Sequence, residues 1–313
     1  MTQLTLPKQA IIQNAIPTFN LEKQELKERE KELEDKIRGL AAKVGISDPN
    51  NLNIQYKRSF NLEASAIEAS AMGKDNKYYV TISPLYALKY EDFPETWRGV
   101  TRPNGELVLE VAEQLDQMSV KRRPKQLLIP VGIEKAAALL HVLSNEDQFE
   151  KAKDFVITHE LSHIKHYEMK KAASVVIFVF EIIQTIIELG RLLISTFIFT
   201  PFSYHEADQT SLTLRHVLVD DRAYAYLENR EKLTEKYADL DAAAVLKTAE
   251  GGLHMFNASQ EGNKFLRNIQ LNLGNVTYDE QGNTLKSRTH PSYTERKAYL
   301  TDWQNRKNLQ QVS

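Results

Sequence analysis

Val156 to Met169 reads VITHELSHIKHYEM. Two histidines, His159 and His163, stand four apart, and Glu160 follows the first. On a helix, positions i and i+4 share a face, so both imidazoles can reach one metal ion side by side. FVIT, just ahead, is apolar and β-branched, as a buried helix entry would be, and small Ser162 lies inside the motif. H-E-x-x-H on a helix is the pattern of a zinc site in which the glutamate points inward without ligating. In such a site Glu160 takes a proton from the attacking water and hands it to the leaving amine. Zinc supplies the activation, lowering its water's pKa from about 15.7 to about 7. The bland alternative is a solvated helix that happens to carry a His pair.

Composition agrees with a catalytic rather than a structural metal. The chain has 313 residues, of which 42% are hydrophobic, enough for one large domain or two modest ones. A net charge of -2 gives no bulk attraction to nucleic acid. With no cysteine there are neither disulfides nor thiolate ligands, so a metal must use histidine and carboxylate. The opening MTQLTLPKQAIIQNAIP has no basic region followed by an apolar run and cleavage site. The expected location is the cytoplasm or the cytoplasmic face of a membrane.

Outward from the motif, helical periodicity dominates Glu106 to His166 and returns over residues 207–256. Residues 1–50 read as an irregular arm followed by a charged amphipathic helix. Leu26, Leu33, Ile37, Leu40 and Val44 fall on one stripe of that helix. The stripe suits packing on the chain's own domain, and a short coiled coil is the alternative. KYYVTISPLYALKY (Lys77 to Tyr90) predicts a strand and then a short helix. Asp92 to Gly105 reads as a loop, GNVTYDEQGNTLKSRTHPS as a hairpin, and a last helix runs through Trp303. The expected class is mainly α with a small β element. Residues 51–313 form the metal-bearing domain, interrupted by an apolar insertion at 174–202.

Two histidines leave zinc under-coordinated, so a third ligand must come from elsewhere. Downstream candidates are Glu206, His216, Asp220 and Asp221. In RHVLVDDRAYAYL, His216 and Asp220 are four apart, so His216 can bind the ion while Asp220 orients a ligand histidine.

These blocks resemble the zinc metallopeptidases of the CAAX prenyl endopeptidase and HtpX type. EASAMG (Glu68 to Gly73) with the strand after it is similar to the family's N-A-x-A-x-G segment, VITHELSHIKH to its zinc helix, and SRTHPSYTER (Ser287 to Arg296) to its T-H-P-x-x-x-x-R segment. VDDRAYAYL resembles the family's E-x-x-A-D-x-x-A helix, with His216 at the glutamate position when Asp220 and Ala223 are aligned. Glu68 stands where the family has Asn. The resemblance implies a zincin-like endopeptidase: Zn²⁺ on His159, His163 and His216, Glu160 as base, and His290 assisting the oxyanion. It implies that Arg296 holds Asp220 or the third-ligand helix, and that an extended polypeptide pairs with the strand near Tyr79–Ile82. The competing expectation is an inactive relative serving as a membrane-associated or oligomeric interaction module.

Ser174 to Phe199, SVVIFVFEIIQTIIELGRLLISTFIF, lies between the zinc helix and the expected third-ligand helix. One crossing would put His163 and His216 on opposite sides of a bilayer. Two crossings need about 20 apolar residues each, more than this stretch holds. Glu181, Glu188 and Arg191 would each cost roughly 2.5–3.5 kcal/mol at mid-membrane, against about 0.3–0.6 kcal/mol returned by each large aliphatic residue. Three readings stay open: an interfacial helix or shallow hairpin touching lipid, a homo-oligomer contact, or a core helix. Lys165, Lys170 and Lys171 upstream suit the first.

Overall fold

The computed structural model describes residues 23–46, 48–56, 64–67, 78–118, 132–165, 221–287 and 289–312. The arm at 1–18, the EASAMG segment and the apolar insertion at 174–202 lie outside the described residues. Those that are described form a mainly helical molecule with a small sheet, as expected.

Helix α1 (Lys23–Val44) uses the stripe read from the sequence. Leu33, Ile37, Leu40 and Val44 are buried with Ala41 against Ile157, Leu161 and Ile164 of the metal-motif helix and against Leu52, Val80 and Ile82 of the sheet. Each large side chain so buried stabilises by roughly 1.5–3 kcal/mol. Gly45, at φ +97°, ends the helix in a left-handed cap, and the Ile46 N–H reaches back to Ala41 O at 3.0 Å. Lys36 pairs with Asp154 on the motif helix, and Arg29 with Asp92 at 3.2 Å.

Three strands follow: β1 (Leu52–Tyr56), β2 (Ala64–Ile67) and β3 (Tyr78–Ile82). Their order is β1-β3-β2, with β1 parallel and β2 antiparallel to β3. This corrects one expectation. Tyr79–Ile82 lies on the middle strand and is already paired on both sides, so it offers no backbone edge to a substrate. The outer strand beside the motif helix is β2. Ser83 caps the 3-10 turn Pro84–Ala87, the predicted short helix, and two further 3-10 turns shape the loop after it.

Helices α2 (Gly105–Met118), α3 (Ile133–Val142) and α4 (Glu146–Lys165) come next. Asn104 and Asn145 cap α2 and α4, accepting from Leu107 N at 2.8 Å and Gln148 N at 3.0 Å. Helices α5 (Asp221–Leu246), α6 (Glu250–Leu273) and α7 (Tyr293–Val312) complete the set, α7 running past the expected end at Trp303. The α6 backbone passes so close to its neighbours that a Cβ at Gly262 would lie 2.2 Å from Glu134 O, and one at Gly251 2.1 Å from Lys151 O. The predicted hairpin is a single bridge, Tyr278 to Thr284, around a tight turn. Asn263 Nδ2 donates to Gly282 O at 2.8 Å, and Asn283 Oδ1 accepts from Gln260 Nε2 and Thr294 N, tying the turn to α6 and to the start of α7. Ser292 and Glu295 then form a reciprocal capping box.

Helix α4 sits in the middle. Phe149 and Ala152 pack with α2, α3 and α6; Ile157, Leu161 and Ile164 face α1 and the sheet; Phe155 packs with α5, α6 and α7. Among the described residues no helix is long and apolar enough to cross a membrane.

Candidate metal centre

His159 and His163 project from α4 on successive turns, their rings perpendicular with centroids 4.7 Å apart. Opposite them stands Glu235 of α5. His159 Nε2 and His163 Nε2 are 3.1 Å apart, His163 Nε2 lies 3.1 Å from Glu235 Oε1, and His159 Nε2 lies 3.5 Å from Glu235 Oε2. Among the described residues these three alone gather into a group able to hold a metal ion. A tetrahedral zinc ion with bonds of about 2.0–2.1 Å requires ligand atoms about 3.3–3.4 Å apart, and the observed separations of 3.1, 3.1 and 3.5 Å, reached through both Glu235 oxygens, lie close to that. All three are largely buried but reach the surface at the rim, with side-chain exposures of 8%, 13% and 12%.

A second ring of groups holds the first. Asp239, one turn after Glu235 and wholly buried, places Oδ1 2.8 Å from His159 Nδ1. This turns His159 Nε2 toward the centre, the arrangement by which a carboxylate fixes the tautomer and plane of a ligand histidine. Arg296 of α7 grips Asp239 as a fork, with Nη2 to Oδ1 at 2.6 Å and Nε to Oδ2 at 2.8 Å. Its guanidinium also lies over the Phe256 ring at 4.1 Å, with Nη1 3.7 Å from Glu235 Oε2. The Tyr299 hydroxyl donates to Asp239 Oδ2. The Nδ1 atoms of both histidines are buried without a hydrogen bond of good geometry among the described residues; His159 Nδ1 has the Asp239 carboxylate beside it as an ion-pair contact, and among the described residues no carboxylate pairs with His163 Nδ1.

The electrostatics follow from burial and neighbours. Burial opposes charge on His159, but Asp239 and then Glu235 outweigh it and push the imidazole up to about 10. Burial likewise opposes ionisation of Glu235, yet the two histidines hold its carboxyl well below the usual range. Asp239 is held down against its burial by Arg296 and His159. Burial and the Asp239 charge raise Tyr299, which stays a protonated donor. With neutral imidazoles the set carries two carboxylates and one guanidinium, a net charge of -1 in a buried place. Either a proton on His159 or a cation between the ligands offsets it.

Of the residues selected from sequence, His159 and His163 meet at this centre, and Glu160, half-buried, lies on α4 between them. His290 stands at the rim, its side chain 57% exposed, with Nε2 3.7 Å from Glu235 Oε1 and Nδ1 2.7 Å from Thr289 Oγ1. Arg296, expected to hold Asp220 or the third-ligand helix, meets Asp239 of α5. Glu206, His216 and Asp220 lie outside the described residues. Asp221 opens α5 and stands 14 residues before Glu235, roughly 21 Å along the helix axis and too far to join the same cluster. Sequence reasoning missed Glu235 and Asp239, although the signal was present. Residues 235–242, EKYADLDA, match E-x-x-A-D-x-x-A at every fixed position. Ala238 and Ala242 are fully buried on a helix that packs against α4.

The chain matches no protein-family profile, no curated protein and no solved structure.

Proposed function

We propose that the protein is a zinc-dependent endopeptidase of zincin-like architecture, with His159, His163 and Glu235 as ligands and Glu160 as general base. The observation that carries this reading is the cluster of two Nε2 atoms and a carboxylate within 3.1–3.5 Å of one another, with a glutamate directly after the first histidine on the same helix. When bound, zinc lowers the pKa of a water ligand to about 7 and polarises a carbonyl oxygen. Glu160 accepts the proton of the attacking water and returns it to the departing amine. Asp239, 2.8 Å from His159 Nδ1, favours a proton on that nitrogen, which would leave the Nε2 lone pair free to hold zinc. His290, exposed at the rim, is placed to donate to the oxyanion. The outer edge of β2, beside α4, is where an extended polypeptide would add as a further strand.

The test separates metal from catalysis. Wild-type protein prepared without chelators should hold one zinc per chain and cleave an unfolded protein such as casein. Glu160→Gln should keep its zinc and lose cleavage, and Glu235→Ala should lose both. Retained turnover in Glu160→Gln refutes the role of the base. A protein that binds zinc yet cleaves nothing supports the interaction-module reading instead.

A further inference from the structure

We propose that Tyr299 is a positioning residue for the metal: its hydroxyl completes a three-donor clamp on Asp239 and so fixes the plane of His159. The inference rests on the zinc reading above and extends it to a residue outside the sequence pattern that suggested that reading.

Each Asp239 oxygen has two partners. Oδ1 meets Arg296 Nη2 and His159 Nδ1; Oδ2 meets Arg296 Nε and the Tyr299 hydroxyl. Asp239 is wholly buried, so no bulk water can replace a missing donor. Arg296 holds Asp239 through Nη2 and Nε while its third nitrogen, Nη1, faces Glu235 Oε2 at 3.7 Å, so a second donor on Asp239 adds a restraint from outside that guanidinium. Tyr299 donates to Asp239 from one turn further along α7 than Arg296. It thereby holds Oδ2 in place while Oδ1 faces His159. Lys236 Nζ, 5.5 Å from the Tyr299 ring centroid, adds a cation over the phenol that strengthens its O–H as a donor. Lys236 directly follows the ligand Glu235, so α5 contributes to the clamp at the turn where it contributes to the metal. Among the described residues no carboxylate pairs with His163 Nδ1 as Asp239 does with His159 Nδ1. Among the described residues the plane of His159 is therefore set through one chain of contacts, from Arg296 and Tyr299 through Asp239.

Tyr299→Phe keeps the ring and deletes the donor. Partners of ligand histidines usually matter by 10–100-fold in metal affinity; because Tyr299 acts through Asp239, about a tenfold weaker zinc Kd is expected, near the low end. The Kd is read by competition with a chromogenic chelator, well below the melting temperature of both proteins. The visible bands of the cobalt(II)-substituted protein should also shift. Tyr293→Phe is the control: it removes a hydroxyl from the same helix, near Phe256, without touching Asp239, and should change neither quantity. Incorporating 4-aminophenylalanine at 299 restores a para donor and should restore both; it also serves if the phenylalanine variant fails to fold. An unchanged zinc Kd and cobalt spectrum in Tyr299→Phe, even with a lowered melting temperature, overturns the proposal and leaves a structural tyrosine. If wild type itself binds neither zinc nor cobalt, the metal reading fails first and this proposal with it.

Discussion

Asp239→Asn probes the junction between folding and metal binding. The substitution keeps the shape and exchanges one acceptor for a donor. Asp239 accepts from Arg296 at both oxygens, from Tyr299, and faces His159 Nδ1. An amide has one oxygen, so either way round its NH₂ faces a donor of Arg296. Breaking a buried ion pair by removing one partner costs about 3–5 kcal/mol, and this pair lies at side-chain exposures of 0% and 9%. The zinc-free form should sit at the upper end, since it also loses the pairing with protonated His159. When the NH₂ sits at the Oδ1 position it drives the His159 proton to Nε2, where it points at the ion. Zinc affinity should fall about 10–100-fold, or about 1.4–2.7 kcal/mol. The two losses are measured separately, by urea unfolding in the presence of chelator and by chelator competition for zinc in native buffer. A typical domain has about 5–15 kcal/mol in hand, so the variant should remain folded at low temperature. If zinc-free Asp239→Asn unfolds at the wild-type urea concentration and binds zinc as tightly, the orienting role of Asp239 is wrong.

Two further perturbations address the scaffold. Gly262→Ala would drive a Cβ to 2.2 Å from Glu134 O, separating α3 from α6 at a cost of about 1–3 kcal/mol in urea unfolding, with zinc affinity unchanged. His141 and His254 give a pH dependence of known sign. Burial lowers both, while Glu261 partly offsets it at His141 and the Val142 carbonyl does so at His254. The unfolded chain therefore binds protons that the folded one refuses as pH falls below about 6.5. Their contribution to stability is full above that pH and declines from there down toward the folded values. The His141→Gln, His254→Gln double variant should lose less stability than wild type between pH 7.5 and 5, measured by urea unfolding in chelator; an equal or steeper loss would refute the assignment.

Legibility in the sequence followed the range of the interactions. The His159–His163 pair was readable because i, i+4 spacing is local and a helix converts it directly into a shared face. The α1 stripe was readable for the same reason, and Leu33, Ile37, Leu40 and Val44 are buried along it. The third ligand was harder. The pair chosen for it, His216 and Asp220, lies outside the described residues, whereas EKYADLDA lies on α5, and nothing local says which turn of a 26-residue helix faces α4. The full set of fixed letters at 235–242 was the stronger signal. Strand β1 was missed because LNIQY is short and its partner Tyr78–Ile82 is distant and parallel, so no turn announces the pairing. That pairing, with β2 on the other side, is also what closed β3 to substrate.

Polar burial on α4 separates structure from chemistry. Thr158 Oγ1 donates to Asp154 O, and Ser162 Oγ to Thr158 O, so each closes on its own helix. Lys153, with its charge disfavoured by burial, ends on Leu88 O and Glu150. These groups complete their hydrogen bonds locally or with one carbonyl, and an apolar residue in their place would leave little behind. His159 is different. Its two nitrogens face two acidic residues of another helix, one of them clamped by a third helix. Ordering Glu235, Asp239, Arg296 and Tyr299 around one imidazole takes several ionised groups out of water, at several kcal/mol each before their mutual attraction repays it. Packing alone gives no reason for such an arrangement, since the same space filled with leucine would be at least as stable. The cluster fits the proposed metal site, in which His159 and His163 would share one ion.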